Sequence, residues 1–387
     1  MIAAIAIGLF AGIFFMAFMQ GLVDARLKTA TKSELAHLQA HAPRFSENKN
    51  IEFYISDSQE LLDKIAAKDS VVAVSRRLIA EPYIMAAHGT GGVTLMGIEP
   101  DKEKKVTDIS ERLVEGTYLE KTSRMPPILV GQKLAKKLKL KISSKLNVQI
   151  VDRSGHLSAK GYRVAGIYKT ASTSYDETHL FVNYTDMKEQ LGMDEDTAHE
   201  IAILLNKADE ADVMKPSIQK IAGNNIVETW KEISPEMSLL TGMMGQFMYI
   251  FVLIILIALC FGIINTMLMS VMERTKEIGM LMAVGMNKRK IFKMIILEAV
   301  MLTITGGVVG IIIGTAVTKY LGTNPINLSL FSEGLDKYGF ASLVYTSLSS
   351  DSVAVISILV VITGILSAIY PARKALKLNP AEATRTD

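Results

Sequence analysis

The chain has 387 residues, 49% of them hydrophobic, with 42 basic and 39 acidic side chains. A net charge of +3, carried by basic residues that do not interleave with aromatics, excludes a nucleic-acid binder. The single cysteine, Cys260, excludes an intrachain disulfide.

The apolar residues gather in four runs, at 1–23, 242–272, 291–321 and 353–370. Each has about 18 residues or more, enough to cross a hydrocarbon core of roughly 30 Å as a helix. The first run lacks a charged leader and a cleavage site, so it reads as an uncleaved span. Short-loop charge then sets orientation. Arg274, Lys276, Lys288, Arg289, Lys290 and Lys293 lie between the second and third runs, and Arg373, Lys374, Lys377 and Arg385 follow the fourth. Between the third and fourth stands only Lys337. Both termini are therefore expected in the cytoplasm. The resulting plan is an extracytoplasmic domain at 24–241, a cytoplasmic segment at 273–290, an outer loop at 322–352, a fourth span ending at Pro371 and a tail at 372–387.

Residues 24–241 have the rhythm of an α+β domain. IEFYI reads as a strand, SQELLDKIAAKD as a helix, and VVAVSRRLI and GGVTLMGIEP as strands. THLFVNY, TDMKEQLG, EIAILLN, ADEADVMKPSIQKIAG and NIVETW repeat the rhythm later. Two such halves make a split βαβ sandwich. Between them, PPILVGQKLAKKLKL and the hairpin KLNVQIVDRSGHLSAKGYRVAGIY predict a β-rich insertion over about 100–170. No catalytic constellation is visible. Ser154 and His156 are neighbours in a turn, the wrong geometry for a nucleophile and its base. His37 and His41 lack a third ligand and read as a polar strand edge, and residues 194–196 as a solvated acidic loop. Gly89–Gly92 reads as a hairpin turn, and no GxxxxGK[ST] occurs, so no P-loop is expected.

The second apolar run would make a helix of about 46 Å, longer than a bilayer core. With the segment after Asp24 it predicts two helices reaching outward, a pair able to carry a push. Residues 272–299, MERTKEIGMLMAVGMNKRKIFKMIILEA, then interrupt the apolar sequence. Ile278, Leu281, Met282 and Gly285 fall on one helical face, Gly285 ends that helix and Asn287 caps the next. Lys288, Arg289 and Lys290 oppose the macrodipole there, which suits anionic lipid headgroups. Spacing alone leaves a coupling contact and a simple basic turn level. Glu298, about two turns into the third span, is expected to snorkel or to pair with Lys293 or the tail arginines. Gly306, Gly310 and Gly314 form a close-packing face whose partner spacing does not identify.

ERTKEIGMLMAVGMNKRKIF followed by LEA and a glycine-rich span resembles the carboxy-terminal region of MacB/FtsX-type ABC permeases. YPARKALKLNPAEA, VGQKLAKKLKLKISSKLNVQI and YRVAGIY add to the resemblance, and SLFSEGLDKYGFASLVYTSLS is similar to the lipoprotein-releasing (LolC/LolE-like) branch. The resemblance implies an α-helical membrane protein with four transmembrane helices and an α+β extracytoplasmic domain, in a bacterial inner membrane. It implies a non-catalytic subunit, dimeric with a second copy or a paralogue, that binds no cofactor itself. ATP and Mg would sit on a separate ABC ATPase. Glu273, Arg274, Lys276, Glu277, Ile278, Gly279, Leu281, Ala283 and Gly285 map onto the ATPase-coupling element. Met282 stands where the family often has arginine, and the family's amino-terminal amphipathic helix is missing, so the natural start is expected upstream.

Two functions follow. One is release of lipoproteins, or export of another amphiphile, to a periplasmic chaperone or adaptor. Phe14, Phe15, Met16, Phe18, Met243, Met244 and Phe247 would then line an apolar cavity between dimerised spans one and two, their plain alternative being contact with membrane lipids. The other is an FtsX-like mechanotransmitter that moves a periplasmic partner, such as a cell-wall hydrolase, without transport.

Overall fold

The computed structural model describes residues 1–387 except 121–123, 195, 332–333, 336–338, 341 and 378–387. Lys337, Glu195 and the tail from residue 378, with Arg385, lie outside the described residues. Two compact units emerge: residues 1–24, 240–327 and 343–387 form one, and residues 25–239 and 328–342 the other.

After α1 (Ile2–Ala30) and a π-helical turn (Thr31–Leu35) come β1 (Leu38–His41), α2 (Phe45–Asn48), β2 (Ile55–Ser56) and α3 (Ser58–Ala66). Next are β3 (Val71–Ala80), β4 (Tyr83–Ala86), β5 (Gly89–Gly92), β6 (Thr94–Ile98), α4 (Pro100–Val106), β7 (Leu113–Gly116), β8 (Pro127–Gly131) and α5 (Gln132–Lys137). The hairpin β9 (Lys145–Val151) and β10 (Leu157–Tyr168) leads to α6 (Thr173–Thr178), β11 (His179–Asn183) and α7 (Tyr184–Leu191). β12 (Thr197–Ala198), β13 (Glu200–Leu205), α8 (Ala211–Ala222), β14 (Ile226–Thr229) and α9 (Trp230–Ile233) complete the outer unit's main elements.

Eleven of these strands form a continuous path, β14–β1–β13–β3–β6–β11–β8–β10–β9–β4–β5, and β7 adds to β10. Strand alternation gives the sheet two apolar faces. On one, Leu61, Leu62 and Ile65 of α3 and Ile218 and Ala222 of α8 pack on Leu38, Ala40, Ile201 and Ile203. Met187 and Leu191 of α7 continue that layer over Ile128, Val130, Leu180 and Val182. On the other face, Ile79, Met96, Ile98, Leu129 and Phe181 pack with Tyr168 and Tyr175. Arg77 of β3 is buried on this second face between Glu103 of α4 and Glu200 of β13, with an N–O distance of 2.6 Å to each.

Several local expectations change. The strand predicted for IEFYI reduces to its last residue, in β2, because the Asn48 and Asn50 side chains accept from Asn50 N and Glu52 N and fold the segment into turns. Gly89–Gly92 is not a turn; it is the second strand of a hairpin with Tyr83–Ala86. His41 is not at a strand edge, since β1 is hydrogen-bonded on both sides, to β13 and β14. The 100–170 stretch makes no layer of its own: β8, β9 and β10 extend the same sheet through β11. Asp196, though 44% exposed, is also engaged: it accepts from Ser58 Oγ and Gln59 N at the start of α3 and pairs with Arg76.

In the membrane unit, α1, α10 (Pro235–Glu273), α12 (Lys288–Thr323) and α13 (Ser350–Ala375) are long and apolar enough to cross a membrane, and α11 (Thr275–Ala283) joins α10 to α12. α10, α12 and α13 overrun their apolar runs at both ends and α1 at its carboxy-terminal end, because charged residues continue a helix wherever its backbone is already nucleated. Ile5, Leu9 and Ile13 of α1 pack with Ile263 and Met267 of α10, Ile295 and Ala299 of α12, and Ile356 and Val360 of α13. The glycine stripe has a partner in α1. A Cβ on Gly306 would stand 2.8 Å from the Ile2 carbonyl oxygen, and one on Gly310 2.8 Å from the Ala6 carbonyl oxygen; at Gly314 it would meet Ile13 Cδ1 at 3.2 Å. Nothing lies within 4 Å of a Cβ built on Gly307. Gly310→Leu should therefore cost about 1–3 kcal/mol by overpacking, read as a lower thermal midpoint of the reconstituted protein, whereas Gly307→Leu should leave it unchanged.

Candidate functional site

The α10–α12 connection is a folded joint. The helical path breaks at Arg274 (φ −97, ψ 18), and α11 starts one residue later. Arg274 Nε donates to Glu277 Oε2 at 3.0 Å, and its Nη1 donates to both carboxylate oxygens of Glu298, at 3.0 and 3.2 Å. Among the described residues Glu298 thus pairs with Arg274, not with Lys293 or Arg373. The kink at residue 274 turns that side chain toward α12, a geometry invisible to helical spacing. Glu273 and Lys276 are exposed and make no described ion pair.

α11 has two faces of opposite use. Ile278 and Gly279 are buried, and Ile278 packs with Val271, Ile291 and Ile295, while Leu281 and Met282 are half-buried. These hold the helix to the bundle. The opposite side presents Met280 (58% exposed), Ala283 and Val284 (85% exposed) at i, i+3 and i+4. Gly285 N donates to Met282 O and Met286 N to Leu281 O, the paired bonds of a Schellman cap. Gly285 sits at φ +95, where a side chain would be strained. Asn287 Oδ1 accepts from Arg289 N and starts α12. The basic residues 288–290 follow in its exposed first turn.

The sequence reading missed Met280 and Val284. The signal was present: from Ile278 onward α11 is apolar on all sides although it joins two charged segments, and one apolar face satisfies packing.

The seven residues expected to line an acyl cavity between dimerised spans differ in exposure. Met16 is buried in the bundle core, and Phe15 packs on Phe251 with ring centroids 4.8 Å apart. Phe10, Phe14 and Phe18 form a ladder of stacked rings along α1, whereas Met243 and Phe247 are about half exposed on α10. In the outer unit Ser154 Oγ donates to Asp152 within a turn, and no three metal-ligating side chains cluster among the described residues.

The MacB-like periplasmic core domain model matches residues 1–221, more than half of the chain, and the FtsX-like permease C-terminal model matches residues 249–380. The chain belongs to the MacB/FtsX-type ABC permeases. The joint at residues 273–290 falls inside the second match. The permease is 27% identical to the uncharacterized ABC transporter permease MJ1507 of Methanocaldococcus jannaschii, over 58% of this chain and 55% of that protein. It is 23% identical to the lipoprotein-releasing system transmembrane protein LolC of Xylella fastidiosa, over 83% of this chain and 79% of that one. A 37% identical stretch relates 32% of this chain to 16% of the macrolide export ATP-binding/permease protein MacB of Chlorobium luteolum. The match with MJ1507 thus spans about half of that relative, and the match with MacB about a sixth.

Proposed function

We propose that this permease is a non-catalytic subunit driven by a separate ABC ATPase, which docks on the exposed Met280–Ala283–Val284 face of α11. The observation that carries this is the division of labour on α11: one face is fixed to the bundle, and the other leaves apolar side chains in the open. An exposed apolar patch rimmed by charge marks a protein contact. ATP and Mg belong to the ATPase in this reading, both chain termini are cytoplasmic, and the membrane is a bacterial inner membrane. A second copy or a paralogue completes the assembly.

The likeness to LolC over most of the chain supports release of lipoproteins, or export of another amphiphile, to a periplasmic chaperone or adaptor. The alternative is a mechanotransmitter that moves a periplasmic partner, such as a cell-wall hydrolase, and carries no cargo. Deletion phenotypes separate the two, mislocalised lipoproteins supporting the first and wall defects with normal sorting the second.

For the docking itself, the Met280→Asp/Val284→Asp variant should weaken ATPase co-purification on the order of 30-fold, as loss of a ~2 kcal/mol anchor. Reversing both Glu273 and Glu277 should abolish permease-stimulated ATP hydrolysis while leaving the protein folded. Wild-type stimulation in both variants would remove the coupling reading.

A further inference from the structure

A cavity of about 590 Å3 opens on the sheet face that carries Arg77, opposite α3 and α8. Pockets of this size hold small organic molecules. Phe45, Ile79, Met96 and Tyr175 give it an apolar, aromatic lining. We propose that it binds an organic cation, a molecule with an apolar body and an amine-like, hydrogen-bond-donating head.

The charges of the lining point this way. Arg77 is fully engaged by Glu103 and Glu200, so that triad holds two carboxylates against one cation. Glu34 is matched by Arg26 at 3.5 Å and Glu232 by Lys215 at 2.6 Å. Lys49 pairs with Glu81, and Arg44 lies over the Phe53 ring, 5.3 Å from its centroid. Glu228 is different. It accepts from the neutral Ser46 hydroxyl at 2.7 Å, and the one basic group within 4 Å among the described residues is His41 Nε2, at 3.9 Å.

His41 adds a second acceptor. The Gln39 side-chain amide donates through Nε2 to the Leu35 carbonyl oxygen at 2.6 Å, and a carbonyl can only accept. Gln39 Oε1 therefore faces His41 Nε2, at 3.0 Å, and that ring nitrogen must donate. This leaves the lone pair on Nδ1, a buried atom of a cavity-lining ring, with no partner among the described residues. A buried acceptor without a donor costs free energy. An anion would meet lone pairs and carboxylates here, and a neutral hydrocarbon would leave both unmet. A cation with N–H donors meets the Glu228 carboxylate, and the aromatic rings favour it further.

The cavity also touches Glu34 and Leu35 at the end of the π-turn after α1, and Ile233 and Ser234 immediately before α10. An occupant would therefore contact the outer roots of both helices at once. The proposal needs no ATPase and stands apart from the coupling reading.

The test is calorimetric titration of the full chain in zwitterionic-lipid nanodiscs with n-octylammonium, n-octyl sulfate and n-octanol, subtracting the heats of empty discs. Saturable binding of n-octylammonium alone is expected, weakened about tenfold or more by Glu228→Gln. Ser46→Ala removes the same hydrogen bond without removing the charge and should retain saturable n-octylammonium binding. Equal binding of octyl sulfate, heats no different from empty discs, or affinity unchanged in Glu228→Gln would overturn the proposal. If Glu228→Gln unfolds, the comparison of the three probes on the wild type still decides it.

Discussion

Arg77→Met should destabilise the full chain by about 3–5 kcal/mol, since removing one member of a buried ion cluster leaves uncompensated charge behind. Arg77 is 1% exposed, and its Nη1, Nη2 and Nε atoms all donate to Glu103 or Glu200. Burial alone would weaken its hold on the proton. The two carboxylates outweigh that and keep the guanidinium well above its ordinary value. Without it, two carboxylates face each other inside the sheet, and Thr107, which donates to Glu103, can neutralise neither. The triple variant Arg77→Met/Glu103→Leu/Glu200→Leu should recover most of the loss, because apolar replacements remove the desolvation cost along with the attraction. Pulse proteolysis in urea measures both. A single-variant loss under about 1 kcal/mol, or a triple variant no better than the single, would refute the account.

The second large effect is on pH. Burial lowers His37, His179 and His199 to about 4 from an ordinary 6.5. In the unfolded chain these rings take a proton near 6.5, so between 6.5 and 4 the unfolded state binds more protons and stability falls with falling pH. Each ring accounts for about 3 kcal/mol by pH 4. His199 shows the structural reason: its Nδ1 accepts from Ile79 N at 2.9 Å, a bond that a protonated ring cannot make. Asp176 works in the opposite sense. Burial raises it to about 6 despite hydrogen bonds from Thr170. It takes up its proton earlier in the folded state and returns about 3 kcal/mol over the same range. These four groups together give a loss of about 6 kcal/mol between pH 6.5 and 4, which Glu34, also raised by burial, reduces. His199→Gln should flatten the slope by one ring's share, and a pH-independent urea midpoint would contradict the assignment.

How much of this was legible in the sequence follows from the range of each signal. The four apolar helices, the β9–β10 hairpin and the α7–β13 succession are local patterns, and local periodicity reveals them. IEFYI failed because the side chains of Asn48 and Asn50 impose turns that hydrophobicity does not register. The interior position of β1 was out of reach, since His37, Gln39 and His41 read as a polar edge until β13 and β14 come to cover them from 160 residues and more away. The coupling segment was half readable. The face around Ile278 has helical spacing, but the Arg274–Glu298 pair depends on one non-helical residue at 274. The cavity around Glu228 and His41 left no linear trace at all, as its lining comes from strands far apart in the chain.

The pairing of β1 with β14 also bears on how the protein is made. β1 is the first strand of the outer sheet in sequence and β14 the last before α10, yet they lie side by side, Leu38 opposite Thr229. β13, the other neighbour of β1, is nearly as late. During synthesis the first strand must therefore wait, unpaired, while almost two hundred residues emerge after it. Closing so long a loop is slow and comes late in folding. The sheet can be completed only when the chain has been delivered up to the threshold of α10. Insertion of the second membrane helix and closure of the outer sheet thus fall within one short window of biogenesis.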